Sequence, residues 1–154
     1  MAVDGVIELD DAFLRLRRLW SASRQRIIQT DGRYVEMSTL LVVEACARGA
    51  AHHQPVSVAD VAVFADVAPS TASRLVDRAV TAGFVHRTRP SAGSRPLALK
   101  LTAAGVSLHQ ISLAARLQWL KRQLDGWPAG AVADLAYLLT QFADTLDGHI
   151  AKSH

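Results

Sequence analysis

Ser70, Thr71, Ser73, Arg74, Asp77 and Arg78 fall within one short stretch that opens on Pro69 and closes before Gly83. Proline suits the first turn of a helix, where its missing N–H costs nothing, and glycine is a common stop. The spacing predicts a single helix from Pro69 to about Ala82 with these polar side chains on its outward side. Short hydroxyls near a helix N-terminus reach phosphate oxygens and base edges, and the helix dipole favours an anion there. Arg74 carries the planar fork that bonds guanine O6 and N7 in parallel. Arg78, one turn on, suits a backbone phosphate. Arg89 and Arg95 bracket a Ser/Gly/Pro loop, and an arginine at such a tip fits a narrow, electronegative minor groove. These residue types suit recognition of double-stranded DNA; a solvated basic surface is the bland reading of any single arginine among them.

Other reactive residue types form no comparable constellation. Cys46 is the single cysteine and lies mid-helix beside Ala45 and Ala47, with Arg48 the nearby cation. An inert, buried thiol is the expected state, and an oxidation sensor is the alternative. The neighbouring His52 and His53 point in different directions and lack a third ligand at metal spacing, so they read as a loop pair. His86, His109 and His149 are scattered. No Ser/His/Asp grouping, Gly-rich phosphate loop or carboxylate pair stands out, so neither an enzyme, a metal site nor a cofactor is expected.

The charge is unevenly placed. The chain of 154 residues has a formal net charge of +3. Between Pro69 and Lys100 the basic residues are Arg74, Arg78, Arg87, Arg89, Arg95 and Lys100, and Asp77 is the lone acid. The rest of the chain is therefore net acidic, and the basic segment coincides with the hydroxyl-bearing helix. A single cysteine excludes an intrachain disulfide and fits a reducing compartment. The acidic start, MAVDGVIELDD, does not read as a secretory leader, and no apolar run suffices to span a bilayer, so the cytoplasm is the expected location.

Around the basic helix the periodicity sets an order of elements. Leu9, Phe13, Leu16, Leu19 and Trp20 predict an amphipathic helix from Ile7 to Gln29, followed by an Asp31-Gly32 turn. A second helix reads from Met37 to Arg48 and ends at Gly49, with a loop to Pro55. Ser57 caps a short helix, Val58 to Ala65, and Asp66 sits where the connection needs a left-handed backbone. Ala62 marks the close crossing of this helix with the next. Phe84 to Arg89 and Leu97 to Leu101 alternate as the strands of a hairpin. Thr102 opens a long helix to Leu124, in which Leu113, Leu117, Leu120 and Leu124 form a seam. A last helix runs from Pro128 to Ile150. The fold class is mainly α with a small β-hairpin wing. It is a winged helix-turn-helix flanked by N- and C-terminal dimerisation helices.

The runs PSTASRLVDRAVTAGFVHRTRP and LALKLTAAG, within Ala59 to Gly105, resemble the recognition helix, wing and strand-to-helix junction of the MarR family of bacterial transcription regulators. The flanking helices match the family's order, so the resemblance covers nearly the whole chain. Two departures stand out. The wing's usual Asp-x-Arg is Gly93-Ser94-Arg95, which keeps the arginine and loses the aspartate. A capping Ser before the helix proline is replaced by Ala68, a loss of about 1 kcal/mol.

The resemblance implies one domain over 1–154, with 56–101 as the DNA-binding part and 7–50 and 102–150 mainly forming dimerisation helices. It implies a homodimer, more in the habit of a repressor than an activator, on a near-palindromic operator with half-sites roughly 34 Å apart. The terminal helices, with Trp119, Trp127, Tyr137 and Phe142, independently carry more apolar surface than one small winged domain covers. Relatives often bind small aromatic acids between the dimer helices and the winged domain, where Trp20, Arg24 and Met37 would line the pocket. The competing readings are a winged helix that binds only protein and a redox regulator built on Cys46.

Overall fold

The computed structural model describes residues 3–22, 27–28, 34–88 and 97–150. In chain order the elements are α1 (Val3–Ala22), β1 (Ile27–Ile28), β2 (Tyr34–Val35), α2 (Met37–Ala51), α3 (Val58–Ala65), α4 (Pro69–Thr81), β3 (Val85–Thr88), β4 (Ala98–Leu101), α5 (Ala103–Gln123) and α6 (Ala129–Ile150). They fall into two compact units, Met1–Leu113 and Ala114–His154, with the division inside α5. The first helix ends earlier than its periodicity suggests. Ile27–Ile28 pairs antiparallel with Tyr34–Val35, whereas the periodicity extends the helix over both isoleucines; β-branched and aromatic side chains favour the strand. The Asp31-Gly32 turn itself lies outside the described residues.

The first unit is built around valines that reach the centre from different elements. Val42 and Val43 of α2, Val61 of α3, Val76 of α4, Val85 of β3 and Leu108 of α5 are fully buried. The sequence groups α2 with the flanking helices. In the structure its buried residues, Leu40, Val42, Val43, Ala45 and Cys46, join the same core as α3, α4 and β4. The helix also runs past Gly49, the residue read as its stop. A Cβ at Gly49 would collide with Val56, so this glycine serves a close approach within a helix. The left-handed residue that follows α2 is His53, with φ 54°.

Local chemistry fixes the next three elements. The Ser57 hydroxyl accepts from the Asp60 amide at 3.3 Å, and the Asp60 carboxylate accepts from the Ser57 amide at 2.7 Å. This reciprocal box satisfies two N–H groups that the start of α3 would otherwise leave open. Asp66 ends α3 in the left-handed region, φ 51° and ψ 54°. Ala62 is buried where α3 meets α4. Pro69 is the first residue of α4, and Gly83 follows it at φ 82°.

The hairpin pairs Val85 with Leu101, His86 with Lys100, Arg87 with Leu99 and Thr88 with Ala98. Val56 adds an antiparallel bridge to Leu99, whose amide donates to the Val56 carbonyl at 2.7 Å. The sequence reading ends its loop at Pro55 and gives Val56 no element, because one bridged residue leaves no alternation. The Thr102 hydroxyl accepts from the Gly105 amide at 3.1 Å, capping α5, and donates to the Gly83 carbonyl at 2.6 Å. One side chain thus joins the end of α4 to the start of α5. In the second unit the close of α5 leads through Gly126, φ 79°, into α6.

Candidate nucleic-acid interface

α4 buries one edge and exposes the other. Ala72, Val76 and Ala79, four and three residues apart, are buried in the core. Small and β-branched side chains there let α4 approach α2 and α3 closely. Ser70, Thr71, Arg74, Asp77 and Arg78 are exposed, and Ser73 is half-buried. Ala68, at the N-cap, supplies no side-chain cap. Pro69 has no N–H, and the amides of Thr71 and Ala72 turn back to the Ala68 carbonyl at 2.9 and 3.0 Å. The positive end of the helix dipole is therefore not capped by the Ala68 side chain, and a phosphate oxygen is a suitable occupant.

The cations around this edge are in different states. The Arg87 guanidinium donates to Asp77 Oδ1 at 2.7 Å, which ties β3 to α4. Arg78 lies 3.7 Å from Glu36, the residue just before α2. Arg74 makes no ion pair among the described residues, so it is the cation of α4 best able to take a new partner. Sequence reasoning placed Asp77 and Arg78 in the outward set but identified neither Arg87 as the partner of Asp77 nor Glu36 as that of Arg78. Both pairings join elements whose proximity only the fold creates. Arg89 and Arg95 lie outside the described residues.

Of the three residues proposed for a ligand pocket, Arg24 and the Trp20 side chain lie outside the described residues. Met37 opens α2 and is exposed. A surface groove of about 220 Å³ lies elsewhere in the first unit, lined in part by Ala45, Arg48, His52, Pro55, Val56 and Phe64. The Arg48 guanidinium stacks over the Phe64 ring there, 5.5 Å from its centre, a favourable cation–π arrangement. His109 of α5 brings Nδ1 to 3.3 Å from Glu44 Oε2 on α2.

Cys46 is buried in the α2 core. Burial pushes its thiol up to about 11, because the thiolate loses hydration that the core does not replace. At neutral pH the group is therefore the unreactive thiol. Alkylation of the folded protein by iodoacetamide at pH 7.5 is expected to run at least about tenfold slower than for a free cysteine, with the rate rising as pH approaches 11. Labelling at the free-cysteine rate would contradict this assignment and revive the redox reading. Among the described residues no group of three or more His, Cys, Asp or Glu side chains is placed to hold a metal ion. No helix among them is long and apolar enough to cross a membrane.

No family model matches the chain, and no curated protein does. Solved structures match it over nearly their full length. A MarR family protein from Bacillus stearothermophilus superimposes with a TM-score of 0.71 at 19% identity, covering 96% of this chain and 99% of its own. A MarR/EmrR family transcriptional regulator from Acinetobacter gives a TM-score of 0.67 at 17% identity, with 96% and 99% covered. RV1404 from Mycobacterium tuberculosis gives 0.66 at 26% identity, with 94% and 95% covered. The winged helix-turn-helix architecture expected from the sequence is thus the observed one, and the chain has the fold of solved MarR family regulators.

Proposed function

We propose that this chain is a MarR family transcription regulator that binds double-stranded DNA as a homodimer and acts as a repressor. The carrying observation is α4: one edge is locked into the core, while the other presents Ser70, Thr71 and Arg74, which has no ion pair among the described residues, beside an N-cap without a side-chain cap. The hydroxyls and the Ser70 amide are suited to phosphate oxygens, Arg74 to a guanine edge, and Arg78 to the adjacent backbone. Arg89 and Arg95 are assigned to the wing's minor-groove contact. The repressor role and an aromatic-acid effector rest on the likeness to that family.

Dimerisation is supported by apolar side chains that this chain alone leaves in water. Val6, Ile7, Leu9, Leu14 and Leu16 of α1 are exposed, as are Leu117 and Leu120 of α5 and Leu135, Leu138, Leu139 and Leu146 of α6. Exposed apolar helix faces of this kind mark surfaces that associate with other protein. Sedimentation of the purified chain is expected to give a dimer. Leu139→Asp is expected to shift it towards monomer and weaken operator binding by at least about tenfold, because half-site pairing is lost. An unchanged dimer in that variant would remove α6 from the interface.

The deciding experiment is a binding titration with the gene's own upstream region and an unrelated duplex, repeated over salt. The expected result is a selective affinity in the nanomolar range at physiological salt, falling steeply as salt rises. No selective shift even at low salt would favour the winged helix that binds only protein.

A further inference from the structure

Asp77 is an acid on the outward side of the helix proposed to meet a polyanion. Left free, its carboxylate would repel phosphates or accept from a cytosine amino group. Neither describes its surroundings. Its Oδ1 accepts from the Arg87 guanidinium at 2.7 Å, the short distance of a charge-assisted hydrogen bond. Arg87 belongs to β3 and pairs across the hairpin with Leu99 of β4. The Arg87 side chain is 31% exposed and that of Asp77 59%, so the arginine is the more enclosed partner. The wing root is held separately: the Phe84 amide donates to the Ala79 carbonyl at 3.0 Å, and the Thr102 hydroxyl to the Gly83 carbonyl at 2.6 Å. Both of those ties lie at the end of α4. The Asp77–Arg87 bridge lies further back along the helix, on the side where Arg74 and Arg78 project.

We propose that Asp77 is a positioning residue. Its carboxylate braces Arg87 so that α4 and the β3–β4 hairpin meet DNA as one body, and it withholds the Arg87 charge from sequence-independent phosphate contacts. The wing lacks the aspartate that the resemblance leads one to expect before Arg95, and this bridge supplies an acid–arginine tie on the helix side instead. The inference rests on the DNA-binding reading above, and it also has a consequence that needs no DNA.

The test compares Asp77→Asn and Asp77→Glu with the unaltered chain, first by amide hydrogen exchange without DNA. Asp77→Asn is expected to speed exchange in β3 and β4 while α2 and α3 stay as protected as before. Asp77→Glu, which keeps a carboxylate, is expected to retain most of that protection. With DNA, Asp77→Asn is expected to bind an unrelated duplex more tightly. Its plot of log affinity against log salt should steepen by about 0.9, one phosphate contact. Its preference for the operator over that duplex should fall about tenfold. Unchanged β3–β4 exchange, or an unchanged preference, overturns the proposal. An equal fall in preference for Asn and Glu also overturns it, because the carboxylate would not be the cause. If the unaltered chain shows no selective binding, the DNA reading fails, and the exchange comparison alone decides the brace.

Discussion

The Arg74→Ala protein is expected to bind its operator about 5- to 150-fold more weakly than the unaltered chain, the range of a lost bidentate base contact. The loss should concentrate at one base position in each half-site. Three observations point to Arg74 over its neighbours. Arg87 is held by Asp77 at 2.7 Å and Arg78 lies 3.7 Å from Glu36, so contact with DNA by either competes with an existing carboxylate. Arg74 has no such competitor among the described residues. It also lies on the turn of α4 that follows Ser70 and Thr71, near the end of the helix proposed to enter a groove. Arg78→Ala, by contrast, should weaken binding to all sequences alike and lower the salt slope by about one contact. Measuring both variants on the operator and on single-base variants of it separates the two roles. Arg74→Ala with its sequence preference intact would falsify the assignment.

Gly105→Ala is expected to be the most damaging single-methyl change in the first unit. A Cβ at this position would collide with the Phe84 carbonyl oxygen and stand 3.2 Å from Leu101 Cδ2. The carbonyl is backbone and cannot swing away. It also accepts from the Thr102 amide at 3.0 Å, so retreat would break the junction between the hairpin and α5. Overpacking of this kind costs about 1–3 kcal/mol. In a chain of this length that lowers the melting temperature by roughly 2–12 °C. Gly130→Ala is the internal control: nothing lies within 4 Å of a Cβ there, so its melting point should hold or rise slightly. Thermal unfolding followed by circular dichroism reads both, and equal melting points for the two variants would show that the approach of α5 to Phe84 is looser than described.

Much of the winged part was legible in the sequence because its boundaries are set by local chemistry. Ser57 caps α3, Asp66 takes the left-handed turn, Pro69 opens α4, Gly83 follows it and Thr102 caps α5. Each of these acts on backbone only a few residues away, so residue type and spacing are enough to place it. The outward residues of α4 were legible for the same reason: helical period fixes which side chains share a side once a buried edge is recognised.

Tertiary structure decided everything that depends on chain segments returning to one another. Gly49 reads as a helix stop but accommodates Val56, and Gly105 reads as part of a motif but accommodates the carbonyl of Phe84, the residue before β3. Val56 belongs to no element until Leu99 lies beside it. The basic stretch, which in sequence is a simple excess of arginine, resolves into one cation tied to Asp77, one near Glu36 and one without an ion-pair partner among the described residues. Composition counts charges, but carboxylates at specific distances decide which of them can serve a new partner. The helix that opens at Pro69 was therefore determined by the sequence itself, while which of its arginines remains available was decided only by the fold around it.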